Sequence, residues 1–318
     1  DLGYSGGALA CSSGCAFDTG RCHQCGDGVC STALGEDRFG CAQDCGWIEI
    51  AAGYTHSCGL KADGTVWCWG ANFDGQLGDL TNVDRLTPVK VVGPVGVSAI
   101  GVGEDHSCAI DGNSEVWCWG DNSYGQLGVG FTAPYTLVPQ KVLLTYGTVS
   151  LSVGAYQTCS VFSNGRVSCW GRNDFGALGD STTEPKYAPT PVVQYQTTSP
   201  AVDMQGVLAL STGIWHTCAL NYDSLGMGGN EAPYTRIWCW GRDYDEELGN
   251  GTVTTDRLVP GRVQPTGALQ FVGIAASRSN SNRYNHSCAV TSIEGGVGGD
   301  VYCWGGGLYG QLGRGDTA

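Results

Sequence analysis

One phrase returns five times along this chain, each time anchored on a pair of cysteines. It reads HSCGLKADGTVWCWG from His56, HSCAIDGNSEVWCWG from His106 and QTCSVFSNGRVSCWG from Gln157. It is split wider at His216 (HTCAL, then IWCWG) and at His286 (HSCAV, then VYCWG). Gly75-Gln76-Leu77-Gly78 follows the first pair and recurs at Gly125, at Gly176 as Gly-Ala-Leu-Gly, at Glu246 as Glu-Glu-Leu-Gly, and at Gly310. A proline and a short aliphatic run come next, from Pro88, Pro139, Pro191 and Pro260. Units of about 50 residues with four short strands are the size of one propeller blade. The expected fold is therefore all-β, a β-propeller over residues 47–318 built from five recognisable repeats, preceded by a cysteine-rich module at residues 1–46.

Spacing within the unit sets the pairing. Cys58 and Cys68 lie symmetrically about Asp63, Cys108 and Cys118 about Asn113, and Cys159 and Cys169 about Asn164. Three-residue turns such as Ala62-Asp63-Gly64 put glycine where φ must be positive and set the cysteines opposite each other on antiparallel strands. Opposed Cα atoms lie about 4.5–5.5 Å apart, within disulfide reach. One bridge per blade is expected: Cys58–Cys68, Cys108–Cys118, Cys159–Cys169, Cys218–Cys239 and Cys288–Cys303. Alternation sends the recurring Trp69, Trp119, Trp170, Trp240 and Trp304 to the face away from the cysteines, where they are expected to pack between blades.

His56, His106, His216 and His286 share one repeat position, taken by Gln157 in the third unit. A catalytic histidine is normally unique, so these are expected to bond the backbone of their own turn. With no H-E-x-x-H helix and no phosphate loop in the chain, the reading is a non-enzyme.

The pattern G-x-x-H-S-C-x-L-x-x-D-G-x-V-W-C-W-G-x-N-x-x-G-Q-L-G resembles the repeat of the regulator of chromosome condensation family, whose members form β-propellers, usually of seven blades. The resemblance covers about residues 47–318 and implies a propeller that binds a partner through its loops, with the extracellular β-lactamase-inhibiting propellers of the family as the nearest analogy. The paired cysteines and the count of five depart from the family pattern.

Composition narrows the setting. Seventeen cysteines point to an oxidising compartment, and a net charge of −14 opposes binding to nucleic acid. The chain begins at Asp1, as expected of a mature secreted, extracellular product whose leader has been removed, and holds no run near the roughly 20 apolar residues of a membrane span. In residues 1–46, Cys11, Cys15, Cys22, Cys25, Cys30, Cys41 and Cys45 crowd a segment too small to bury a core. Asp27, Glu36, Asp37 and Asp44 offer hard oxygen ligands for a structural calcium ion; solvated turn carboxylates are the alternative. Zinc on Cys22, His23, Cys25 and Cys30 is a weaker reading than disulfides. Seven is odd, which leaves one cysteine either as a free thiol or for a bridge to another chain.

Repeats that disagree mark candidate recognition loops. The fourth hairpin is expanded from Asn221 to Arg236, with Tyr222, Met227 and Tyr234; the fifth, Thr291 to Asp300, is glycine-rich; and Ser277–Asn285 carries Arg278 and Arg283. These loops are expected to form one partner surface. The leading function is a secreted protein-interaction propeller. A structural subunit of an extracellular assembly or filament, built from copies of the chain, and a carbohydrate-binding propeller are the alternatives. The fifth unit lacks a Pro-led strand after Gly313, so either five blades close imperfectly or the missing strand comes from residues 1–10 or from a neighbouring chain, the last being the favoured expectation.

Overall fold

A computed structural model describes residues 4–5, 8–9 and 46–315, less residues 132, 145, 196–201, 224–233, 252–254, 265–268, 279–284 and 293–298. The carboxylates Asp27, Glu36, Asp37 and Asp44, together with Met227 and Arg283, lie outside the described residues.

Strands β1 (Tyr4–Ser5) and β2 (Ala8–Leu9) form a two-stranded ribbon. Blade one comprises β3 (Trp47–Ala52), β4 (His56–Lys61), β5 (Val66–Gly70) and β6 (Arg85–Lys90); blade two comprises β7 (Ala99–Val102), β8 (His106–Ile110), β9 (Val116–Asp121) and β10 (Tyr135–Lys141). Blade three comprises β11 (Thr148–Val153), β12 (Gln157–Phe162), β13 (Val167–Gly171) and β14 (Lys186–Pro191), and a second ribbon of β15 (Val193–Tyr195) and β16 (Val202–Asp203) follows it. Blade four holds β17 (Val207–Thr212), β18 (His216–Asp223), β19 (Tyr234–Gly241) and β20 (Arg257–Arg262). Blade five has three strands among the described residues, β21 (Phe271–Ala276), β22 (His286–Thr291) and β23 (Val301–Gly305). Each blade is an antiparallel meander, so its hairpin between second and third strands points to one end of the disc. The turn before the histidine and the Gly-Gln-Leu-Gly turn point to the other. We refer to these ends as the hairpin face and the loop face.

The inner hairpins have the expected register. Cys58 pairs with Cys68, Cys108 with Cys118, Cys159 with Cys169, Cys218 with Cys239 and Cys288 with Cys303, and all five pairs are bridged with Cα atoms 4.1 Å apart. Gly64 and Gly165 take φ of +74° and +75° in their turns.

The core lies in the joints between blades. Cys58, Leu60, Val66 and Leu77 of blade one pack against Ile100, Val102 and Trp119 of blade two, and the following joints repeat the arrangement. Burying each such aliphatic or aromatic side chain is worth roughly 1.5–3 kcal/mol. A polar clasp runs through every joint. The indole of Trp119 and the hydroxyl of Ser107 both donate to the Gln76 carbonyl, at 2.9 and 3.0 Å. Trp170 and Thr158 do the same to Gln126, and Trp304 and Ser287 to Glu247; Trp240 and Thr217 share the Ala177 carbonyl.

Here the histidines depart from expectation. The rings of His56, His106 and His216 do not bond their own turn; they reach the next blade. His56, His106 and His216 place Nε2 at 2.8, 2.9 and 3.0 Å from the hydroxyls of Ser107, Thr158 and Ser287. Gln157, in the same place, donates its amide to the Gly213 carbonyl of the next blade at 3.1 Å. The position recurs from unit to unit because it pins neighbouring sheets together.

Candidate functional site

Where the scaffold positions are held constant, their immediate neighbours vary, and on the loop face those neighbours converge. The residue after each Trp-Gly is Ala71, Asp121, Arg172, Arg242 and Gly306; the residue before each histidine or Gln157 is Thr55, Asp105, Tyr156, Trp215 and Asn285. Gly171 holds φ at +105° and Gly241 at +104°, which brings the next N–H of Arg172 and Arg242 onto the carbonyls of Tyr156 and Trp215, 2.9 Å in both cases. The side chains of these pairs therefore rise side by side.

An aromatic and arginine ladder results, running across blades two to four. The Arg172 guanidinium lies 4.4 Å from the Trp215 ring centre, 4.5 Å from Tyr124 and 5.3 Å from Tyr156. Arg242 lies 5.0 Å from Tyr244 and 5.7 Å from Phe175. Tyr124 and Tyr156 stand 5.9 Å apart, Tyr156 and Trp215 5.9 Å, and Phe175 and Trp215 5.3 Å edge to face. All of these separations suit cation–π and aromatic attraction. Arg172 is fixed from the side by Asp174, whose carboxylate accepts from Nε at 2.6 Å.

The other half of the same face is acidic. Asp105 accepts from the Gln76 amide at 3.1 Å, and burial, followed by the charges of Glu104, Asp74 and Asp121, pushes its carboxyl up to about 6. Burial and the charge of Asp121 also raise Asp74. Burial, then the Glu104 carboxylate bonded to it, pushes the Tyr156 phenol above its usual range, so that phenol remains a donor at neutral pH. Carboxylates thus occupy blades one and two, and arginines set among aromatic rings occupy blades three and four.

Sequence profiles of the regulator of chromosome condensation (RCC1) repeat match residues 47–76, 97–126 and 149–177 in one form and 63–110, 113–161 and 164–220 in another. Together they span residues 47 to 220, more than half of the 318 residues. The chain belongs to the RCC1 repeat family. Over 273 residues it is 31% identical to the ultraviolet-B receptor UVR8 of Arabidopsis thaliana, covering 85% of this chain and 55% of the receptor. Over 276 residues it is 28% identical to the human E3 ubiquitin-protein ligase HERC2, covering 85% of this chain and 5% of the ligase. The chain thus spans about half of the one relative and a small part of the other. The fold is also that of human WBSCR16, with a TM-score of 0.66 at 21% identity over 85% of this chain and 64% of that one. Prp20p of Saccharomyces cerevisiae, a structure described together with its binding to Gsp1p and histones, gives a TM-score of 0.60 at 20% identity over 73% of this chain and 54% of that one.

Within the RCC1-repeat fold, the residues singled out from the loops fall in separate places. Tyr222 is 42% exposed and Arg236 is buried; Tyr222 pairs with Thr235, and Arg236 with Asn221, at the hairpin-face end of blade four. Tyr234 opens β19 at that end, opposite Asp223. Ser277 and Asn285, next to the ends of β21 and β22, lie at the loop-face end of blade five. Tyr222 and Arg236 thus stand at the opposite end of the strands from Ser277 and Asn285, while residues 224–233 and 279–284 lie outside the described residues. Arg278 reaches from blade five to blade two, donating from Nη1 to the Val102 carbonyl at 2.9 Å. The ladder itself escaped sequence reading because its members belong to five different sequence segments; the visible signal was the variability of positions flanking constant ones.

Proposed function

We propose that this chain is a secreted, non-enzymatic interaction propeller that engages a protein partner through its loop face. The observation that carries this reading is the ladder of Tyr124, Tyr156, Trp215, Phe175 and Tyr244 around Arg172 and Arg242, beside the carboxylates of blades one and two. Tyrosine, tryptophan and arginine dominate the energetic centres of protein interfaces, and a rigid, pre-stacked set loses little entropy on binding. The description of Prp20p with Gsp1p and histones supports protein binding as a use of this fold. Five disulfides within blades support an extracellular setting, and a net charge of −14 disfavours a polyanionic partner.

The test is capture from extracellular protein mixtures by the wild type, by Trp215→Ala and Arg172→Ala, and by a variant whose fourth hairpin is cut between Tyr222 and Thr235 to an Ala-Asp-Gly turn. Loss of capture in the two ladder variants, with the shortened hairpin binding as wild type, supports the loop face. The reverse pattern moves the surface to the hairpin face and Tyr222. Binding on a glycan array that disappears with Trp215→Ala would instead support a carbohydrate ligand on the same rings.

A further inference from the structure

Of the two ladder arginines, Arg172 has donors to spare. Its Nε gives its proton to Asp174 at 2.6 Å, and no described residue accepts a hydrogen bond from Nη1 or Nη2. The side chain is still 24% exposed. Arg242, by contrast, is buried against the Tyr244 and Phe175 rings. The Arg172 fork is also held in place. Trp215 at 4.4 Å, Tyr124 at 4.5 Å and Tyr156 at 5.3 Å pack around its guanidinium, and Phe175 braces Trp215 edge to face. The Tyr156 phenol is itself tied to Glu104, and the Arg172 N–H to the Tyr156 carbonyl at 2.9 Å. A guanidinium stacked on rings and tied through Nε keeps its Nη pair as a pre-set fork, the geometry that takes a carboxylate through two parallel hydrogen bonds.

Charge decides which anion fits. Asp174 lies against the guanidinium, Glu104 and Asp105 act together with Arg172 on the Tyr156 phenol, and the whole chain carries −14. The single charge of a carboxylate meets less repulsion here than the nearly double charge of a phosphate. The rings of Trp215, Tyr124 and Phe175 beside the fork ask for an apolar group next to that carboxylate, and the water such a contact excludes strengthens the charge pair.

We propose that Nη1 and Nη2 of Arg172 anchor an Asp or Glu side chain of the protein partner, one that stands beside an aromatic or aliphatic residue packing on Trp215. This rests on the loop face being the partner surface, and it names the chemistry that surface selects. Asp174 and Glu104 hold the site open to its ligand rather than fill it, because they occupy Nε and the Tyr156 phenol and leave the fork unoccupied among the described residues.

The test selects displayed random peptides on the immobilised full chain. Wild type should enrich sequences with Asp or Glu next to an aromatic or aliphatic residue. For a selected peptide, changing that acid to its amide should weaken binding to wild type about tenfold or more, the worth of hydrogen bonds to a charged group. The same change should matter little once Arg172→Gln has removed the fork, since the two losses are one interaction. Unchanged near-ultraviolet circular dichroism confirms that Arg172→Gln and Trp215→Ala fold. Peptides that lose binding with Trp215→Ala yet carry no acid, or whose acid-to-amide change costs the same on wild type and on Arg172→Gln, would overturn the carboxylate anchor and leave the loop face standing. Peptides that bind Trp215→Ala and Arg172→Gln as they bind wild type, or no enrichment over an unrelated protein, would overturn the loop-face reading along with it.

Discussion

Nε2 of His106 and Oγ1 of Thr158 lie 2.9 Å apart across the joint between blades two and three, with both side chains 0% exposed. The Thr158 hydroxyl gives its one proton to the Gln126 carbonyl, so it must accept from the histidine, which fixes the ring as the Nε2–H tautomer. Nδ1 of His106, like that of His56 and His216, is buried without a hydrogen-bond partner, and a proton there would be stranded.

Acid should therefore loosen these joints. Burial holds His106 and His216 at about 3 and His56 at about 4, against an ordinary value of 6.5. Below about pH 6.5 the unfolded chain takes up protons that the folded chain refuses, so stability is lost as pH falls from there toward those values. By about pH 5 each such histidine costs about 2 kcal/mol. Asp105 and Glu247, raised chiefly by burial to about 6 and 7, act in the opposite sense and offset part of this. His106→Gln, which installs the side chain that Gln157 already supplies one blade on, isolates the histidine contribution. Its melting temperature should fall less than that of wild type between about pH 7 and pH 5, and an equal fall in both proteins would refute the assignment.

The clasp carbonyl offers a second measurement. Because Gln126 accepts from both Trp170 and Thr158, Trp170→Phe removes one of two donors and should cost about 1 kcal/mol in denaturant unfolding. Thr158→Val should cost a similar amount and, in addition, disturb His106. Together they leave a buried carbonyl without a partner, so the double variant should lose more than the sum of the two. Strict additivity would mean that the carbonyl finds another donor.

A third measurement concerns the staples. Replacing Cys159 and Cys169 together by serine should lower stability by roughly 2–3 kcal/mol, the range for a short closed loop, while leaving the other four bridges intact on non-reducing peptide mapping. Reshuffled bridges in that map would show that pairing is not dictated locally by each hairpin.

Much of the scaffold was legible in the chain itself. The symmetry of Cys58 and Cys68 about Asp63 fixed a hairpin register locally, and that register is the one observed. The role of Trp119 as interblade filling followed from alternation alone. Relations between blades were not legible, because they depend on how one sheet stacks on the next: the reach of His106 to Thr158, the crossing of Arg278 to Val102 and the convergence of Arg172 on Trp215 join residues 43 to 176 positions apart. The meander topology puts Tyr222 and Arg236 at one end of the strands and Ser277 and Asn285 at the other, which counting strand ends along a blade would have shown.

Every described disulfide joins the two inner strands of a single blade; none of them crosses a joint. Under tension along the chain, then, the joints and outer strands can peel while each inner hairpin stays cinched. Its bridged cysteines, 10, 10, 10, 21 and 15 residues apart, keep the intervening chain from paying out. Pulled along its blades, the described part of the molecule lengthens between five knots that only a reductant can untie.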